Sequence, residues 1–424
     1  MNLPIPYFGS EKLGEILMKK KLMVWCISKY ASPPKYGVGA RLFYIASEFN
    51  NLGLEVLLIS SNANHLSNYP NSEKVYNFEK YNKLNHLWIK TYKYTRSASL
   101  KRFISWIDFE HKLFKFKNSK YKKPDVVIIS SLSLLTILYG IYLKKIYDCK
   151  LVFEIRDIHP LTLTEEFRVS KWNPMVMFLG LIEKIGYKKA DLVVGTMPNL
   201  KKHVHELVGK DKEVFHSPLG IHETWSNDII GSNVVDSLFP TEGQFIVGYA
   251  GSMGISNALD AFVEAIKELS EIKDVFFVMV GDGDLKDLYI EKLSRLNNIK
   301  IGPKISQTEI PYFLSKCDLL YLSTHESKIW EYGQSMNKLI DYMMAGKPVV
   351  ASYSGYQSML NEADSGVFVP SGDVQSIVKA IKFFKDMNLD ERRIYGSRGK
   401  IWVEENHNYK NLALKYYNKI MELL

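Results

Sequence analysis

Cysteine is scarce: Cys26, Cys149 and Cys317 are the only three in 424 residues, widely spaced and in or beside apolar segments. An odd, scattered set gives neither a disulfide framework nor a zinc pattern, so all three are expected as buried thiols in a reducing compartment. No apolar run approaches the roughly 18–20 residues that a bilayer-spanning helix needs. The opening MNLPIPYFGSEKLGEILMKKK has no apolar core ending in small residues, so no secretory leader is expected in it. Residues 1–17 are expected to be an extension ahead of the first strand. No repeat at a solenoid period is visible either. What remains is an apolar fraction of 46% with 13% aromatics, which excludes a disordered chain. A formal net charge of +9 implies an acidic partner: a nucleic acid, an anionic membrane or a phosphorylated ligand.

Strand and helix signals alternate throughout, the pattern of an α/β fold with parallel sheets. Strands are expected at Leu22–Ile27, Val56–Ser60, Val126–Ser130, Leu151–Glu154 and Leu192–Val194, with helices at Ala40–Leu52, Leu132–Tyr147 and Pro198–Leu207. The polar stretch 223–243 reads as a linker. A second alternation follows, with strands at Phe245–Tyr249, Val275–Val280, Ile299–Ile301, Leu319–Leu322, Val349–Ala351 and Gly366–Val369, and helices at Ala258–Leu269, Lys286–Leu296 and Gln307–Cys317. The expected organisation is an N-terminal domain over 1–222, the linker, a C-terminal domain over 244–405, and a final helix over 406–424. Two doubly wound halves place a ligand between them, at the carboxyl ends of their strands.

The most informative segment is YGQSMNKLIDYMMAGKPVVAS, Tyr332–Ser352. It reads as a polar loop with Gly333, Ser335 and Asn337, a helix from about Lys338 to Met344, a turn and an apolar strand. A helix whose first turn faces a cleft favours negative charge there. Lys338 can meet a phosphate, and Asp341, one turn on and on the same face, can accept hydrogen bonds from a ribose diol. The segment resembles the nucleotide-binding helix of family 4 retaining glycosyltransferases of the GT-B fold, which face two Rossmann-like domains across a cleft. It is most similar to the bacterial O-antigen and capsule subgroup that includes L-fucosamine transferases, where a YGxSxNKLxDYMxxGKPV pattern recurs. Many members carry a Glu, seven residues and a second Glu; here the second position is Asp341 and the first is Gly333.

The other segments follow strands. The loop Ser28–Arg41 holds Gly37 and Gly39 just before a helix, so its backbone can approach a phosphate or sugar, unless it is only a flexible connection. It does not suit a nicotinamide cofactor, since GVG lacks a third glycine and the second strand ends in Ser60-Ser61-Asn62 rather than an acid. FEIRDIHP places Arg156, Asp157 and His159 at a strand end and resembles the subgroup's EVRDLWP. Arg156 and Asp157 can serve a substrate or pair with each other to fix the loop. YAGSMGISN suits a diphosphate contact through Gly251 and Ser252, and lacks the Arg and Lys that many relatives carry there, which leaves Lys338 as the charge for the leaving group. Gly281 and Gly283 bracket Asp282, a turn that the resemblance places near the nucleotide. The spaced pair Asp282 and Asp284 is read as a turn rather than a metal site, and no metal or cofactor is implied. Ile305 falls where relatives meet the base.

Residues 83–123 carry about a dozen Lys and Arg against Asp108 and Glu110, interleaved with aromatics. An anionic membrane, nucleic acid or a solvated surface would each explain them, and no nucleic-acid module accompanies the patch. The apolar stretch Trp172–Ile182 is either a membrane or acceptor contact or a core helix.

The resemblance implies a metal-independent glycosyltransferase at the inner face of the cell membrane. It would move a sugar from a nucleotide sugar, expected to be a UDP-sugar, to a lipid-linked or polysaccharide acceptor. Lys338 would stabilise the leaving diphosphate, Asp341 hold the ribose, Arg156 and Asp157 contact sugar or acceptor, Gly37 and Gly39 allow close approach in a loop over donor and acceptor, and Arg41 and His159 bind substrate, a His near Arg156 touching the donor sugar elsewhere in the family. Gly333 at the first acidic position and the missing Arg and Lys leave open a catalytically silent partner subunit, and a nucleotide-sugar epimerase on the same fold is a further reading.

Overall fold

The computed structural model describes residues 21–424 apart from 38, 65–68, 96–99, 118–120, 222–230, 242 and 273. The proposed extension and residues 223–230 and 242 of the proposed linker therefore lie outside the described residues. Two sheets organise the rest.

The first sheet holds β1 (Met23–Ile27), β2 (Glu55–Ser61), β3 (Tyr76–Tyr81), β4 (Leu84–Ile89), β5 (Val126–Ser130), β6 (Lys150–Ile155), β7 (Leu192–Gly195) and β8 (Val214–His216). Their order is β3-β4-β2-β1-β5-β6-β7-β8, all parallel except the β3–β4 hairpin. The helices are α1 (Ala40–Asn51), α2 (Leu100–Lys115), α3 (Thr136–Tyr147), α4 (Leu161–Glu165), α5 (Pro174–Lys189) and α6 (Leu200–Val208). Both faces of the sheet are covered, as parallel strands require. On one face Phe109 and Leu113 of α2, Ile137 and Leu143 of α3, Ile182 of α5 and Val204 of α6 share a core with β1, β5 and β6. On the other, α1 contributes Leu42, Ile45 and Phe49.

The second sheet holds β9 (Phe245–Ala250), β10 (Val275–Val280), β11 (Ile299–Gly302), β12 (Leu319–Ser323), β13 (Val349–Ser352) and β14 (Gly366–Val369), ordered β11-β10-β9-β12-β13-β14 and wholly parallel. Its helices are α7 (Asn233–Asp236), α8 (Asp260–Glu268), α9 (Lys286–Leu293), α10 (Ile310–Ser315), α11 (Asn337–Met344), α12 (Val374–Asp386) and α13 (Leu389–Asn406). In both sheets the strand order reverses beside the first strand, so a crevice opens at the carboxyl ends of β1 and β9. The expected α/β class with two Rossmann-like domains is the fold observed.

The last helix, α14 (Tyr409–Met421), packs on the first sheet: Leu412, Tyr416 and Ile420 share the core of α1. The chain crosses between domains where Ile221 bridges Asn408, its N–H donating to the His407 carbonyl at 2.8 Å. A Cβ at Gly220 would lie 2.5 Å from that carbonyl, so the crossover tolerates no side chain there.

Candidate functional site

The C-terminal half of the site is built where three loops converge. Gly251 N–H donates to the Val280 carbonyl at 3.0 Å, and Met253 N–H to Asp282 at 2.8 Å, which ties the loop after β9 to the loop after β10. The approach is so close that a Cβ at Gly281 would sit 1.8 Å from the Gly251 oxygen, and one at Gly283 would lie 2.6 Å from the Met253 backbone. Lys338, in the first turn of α11, lies across Gly251, whose Cβ would come within 2.7 Å of its Nζ. That Nζ donates to Asn257 Oδ1 at 2.8 Å and to Tyr249 Oη at 3.0 Å, over the Tyr249 ring. Burial lowers the Lys338 ammonium from its ordinary value to about 8. Its present partners are neutral, so an arriving anion would find an unneutralised cation.

No side chain caps α11 at Met336, which leaves the first amides of the helix open to a ligand. Lys338 and Asp341 are both half-buried, on the side of α11 away from Leu339, Ile340 and Tyr342–Met344, which turn into the core. Asn337 and Ser252 are exposed at the rim. Ile305 is buried in the core of this domain beside Leu238 and Phe313, so only its backbone can face a ligand.

Across the cleft, a cavity of about 920 Å³ is shared between the domains. Gly39, Arg156, Asp157 and His159 line it from the first domain, and Gly333, Ser335 and Trp330 from the second. Its remaining wall is largely apolar, including Trp106, Leu163, Phe167 and Met175. Gly39 has φ of 73°, and a Cβ there would lie 2.0 Å from the Tyr30 oxygen, so glycine is required. Gly37 faces the other domain, with Gln307 Oε1 3.4 Å from where its Cβ would be. The guanidinium of Arg156 makes no side-chain hydrogen bond among the described residues; burial, then the neighbouring Arg41 cation, lowers its pKa. Burial also lowers the pKa of His159, against the neighbouring Asp157 carboxylate. The Ser335 hydroxyl is buried without a partner.

The structure draws Arg41 away from this group. Its side chain is buried at the start of α1, donating to Ser217 O at 2.8 Å, to Ser217 Oγ at 3.0 Å and to the Pro218 carbonyl, and facing Glu154 at 3.4 Å. It fastens β6 to the segment after β8 rather than meeting a ligand. Nor do the 83–123 aromatics form one surface: Trp88 and Tyr94 are buried, whereas Phe103 and Phe114 are exposed.

Several cavity residues carried no sequence signal. Glu166 lines the wall near Asp157, and burial, then that neighbouring carboxylate, raises its pKa. Tyr30 forms part of the floor: its Oη accepts from Trp106 Nε1 at 2.6 Å and from Tyr94 Oη at 3.1 Å. Beneath it Lys29 is fully buried, bonded to Ser105 at 2.9 Å, and burial lowers it to about 7. Among the described residues no cluster of three or more His, Cys, Asp or Glu could hold a metal ion.

Two Rossmann-like domains meeting across a cleft, with the last helix returned to the first domain, define the GT-B architecture. Residues 244–384 match the family model described as glycosyl transferases group 1, which places the donor-side loops and α11 inside the matched region. Over 255 residues the chain is 26% identical to an uncharacterized glycosyltransferase of Methanocaldococcus jannaschii, covering 57% of this chain. The match spans about three-fifths (61%) of that protein's length. Sucrose-phosphate synthase from Thermosynechococcus elongatus superposes with a TM-score of 0.70 at 16% identity, over 95% of this chain and 99% of that one. The Anabaena protein HepE, solved with UDP and glucose, superposes with a TM-score of 0.61 at 12% identity, over 95% of this chain and all of the other (100%).

Proposed function

We propose that this protein is a glycosyltransferase that takes a sugar from a nucleotide sugar, a UDP-sugar by preference, and delivers it to a lipid-linked saccharide or growing surface polysaccharide. The observation that carries the reading is Lys338: a half-buried cation among neutral partners, at the uncapped start of α11 and across the glycine loops. That combination binds a diphosphate. As the sugar departs, charge builds on the diphosphate; Lys338 and the helix amides stabilise it, and Asp341 holds the ribose. With transfer on the same face of the sugar, the leaving group itself takes the acceptor proton. Arg156, Asp157 and His159 position the acceptor, aided by Glu166 on the same wall. HepE was solved with UDP and glucose, and that likeness of fold supports the choice of UDP.

The apolar cavity wall supports a lipid-linked acceptor, and the outer surface of α2, α3 and α5 supports a membrane site for it. Ile104, Ile107 and Phe114, Tyr142 and Ile146, and Phe178 and Leu181 are exposed on these adjoining helices, with Trp172 at 74% exposure beside them. Lys101, Lys115, Lys145, Lys184 and Lys188 lie on the same helices, and basic groups near an anionic bilayer contribute about 1 kcal/mol each. An O-antigen or capsule pathway fits these acceptors.

Thermal shift with UDP-, GDP- and ADP-sugars tests the donor assignment, since a bound ligand stabilises in proportion to the logarithm of its concentration over Kd. Stabilisation by UDP-sugars, lost in Lys338→Ala and Asp341→Ala, is the expected result. No shift with any nucleotide would defeat the proposal. A changed sugar without acceptor would indicate an epimerase, and bound nucleotide with no transfer a silent subunit.

A further inference from the structure

Residues Lys328–Tyr332 form a 3-10 turn that belongs by sequence to the second domain, between β12 and α11, yet it is held by the first. Tyr332 is 1% exposed and sits in the core of the first domain, with Met197, Leu200 and Val204. Its ring meets His203 edge-on at 4.9 Å, and its hydroxyl donates to Glu206 at 3.3 Å. His203 is itself fixed from below by buried Glu183 at 2.9 Å, which also accepts from Tyr187 at 2.9 Å. The backbone is clasped as well: Asn199 N–H donates to the Tyr332 carbonyl and Asn199 Nδ2 to the Glu331 carbonyl, both at 2.9 Å. Lys328 N–H reaches Glu165 at 3.2 Å. Gly333, with φ of 93°, lies flat on Pro198, and a Cβ there would come 2.5 Å from that ring.

Ile329, Trp330, Gly333, Ser335 and Met336 then line the shared cavity, and α11 begins at Asn337. Lys338 thus follows Tyr332 by six residues. We infer that Tyr332, seated against Gly333 and Pro198, is a positioning residue that locks the start of the donor helix to the acceptor-side domain. It sets Lys338 and Ser335 against Arg156 and Asp157. The inference rests on the donor site proposed above, though the lock itself does not. Glycine at 333 follows from the lock, because any side chain would lift the segment off Pro198.

Spin labels at Lys210→Cys and Glu271→Cys, one exposed position in each domain, report the interdomain distance; the three native cysteines are buried and stay unlabelled. The distance distribution should be narrow in the parent and in Tyr332→Phe, which keeps the ring. It should broaden in Tyr332→Ala and in Gly333→Ala, and not in Lys202→Ala, which removes the exposed Glu331 ion pair and a cation–π contact at 5.9 Å but leaves the Tyr332 ring seated in the core. UDP affinity in Tyr332→Ala should stay within about threefold of the parent, because Lys338 keeps its own loops. An unchanged distribution in Tyr332→Ala, or in Gly333→Ala should the first variant not fold, overturns the lock. A tenfold or larger loss of UDP affinity, by about 1.4 kcal/mol or more, would overturn the positioning role and make Tyr332 a support of the donor helix alone. If the parent binds no UDP, the donor reading falls while the distances still decide the lock.

Discussion

Lys338 shows how one side chain joins electrostatics to architecture. Its positive charge is held half-buried by two neutral oxygens, and desolvation has lowered its pKa to about 8. A bound diphosphate favours the protonated form, so UDP binding should raise that pKa. The sign follows: affinity for UDP is flat below about pH 8 and falls as the pH rises through it. Isothermal titration from pH 6.5 to 9.5 measures the slope. Lys338→Met should weaken UDP by about 10- to 100-fold, the worth of a charge-assisted hydrogen bond, and flatten the profile. Glu166 makes a second expectation at this scale. Its carboxyl is raised by burial and by Asp157, so Glu166→Gln should change the acceptor KM or kcat and leave UDP binding alone. Lys338 and Asp341 were legible in sequence because helical spacing alone puts them on one face. Arg41 was not, because Glu154 and Ser217 lie more than 100 residues away and claim it only in the folded chain.

At the scale of elements, legibility followed unbroken apolar runs rather than burial itself: LNHLWI is largely buried, yet its Asn and His hid it. The inner strands of the second sheet were readable because parallel strands covered on both faces are continuous apolar runs, VFFVMV and VVAS among them, and the half-buried edge strands IKIG and GVFV still stood out as short apolar segments. The edge strand YNFEKY is only partly buried and mixes polar with aromatic residues, so nothing in its pattern separates it from a loop. Helix α2 was hidden in the same way, its buried Phe109 and Leu113 lying among lysines. The glycine turns work at this scale too. Gly281→Ala forces a Cβ against the Gly251 carbonyl, so about 1–3 kcal/mol of stability should be lost to overpacking. Calorimetry should show a lowered Tm, and the UDP-induced shift should vanish, since the loops proposed to cradle the phosphates have parted.

For the whole molecule, the apolar and basic outer surface of α2, α3 and α5 makes a prediction of its own. Co-sedimentation should find the protein on vesicles containing phosphatidylglycerol and not on phosphatidylcholine alone. Binding should fall at high salt, as screening demands. Replacing Trp172, Phe178 and Leu181 together by serine should reduce vesicle binding at least about tenfold, because each buries an apolar side chain worth over 1 kcal/mol, with UDP affinity unchanged. Full retention would remove this surface from consideration.

The amino-acid sequence by itself determined the α/β alternation, two consecutive parallel halves and a cation and acid one turn apart on the helix after a glycine-bearing loop. These depend on periodicity and on neighbours a few residues away. Only the tertiary structure decided which residues share the cavity, that Arg41 is spent on the scaffold, and that Tyr332 crosses into the other domain. Each of those outcomes is set by contacts between segments far apart along the chain, whose identity no local pattern records.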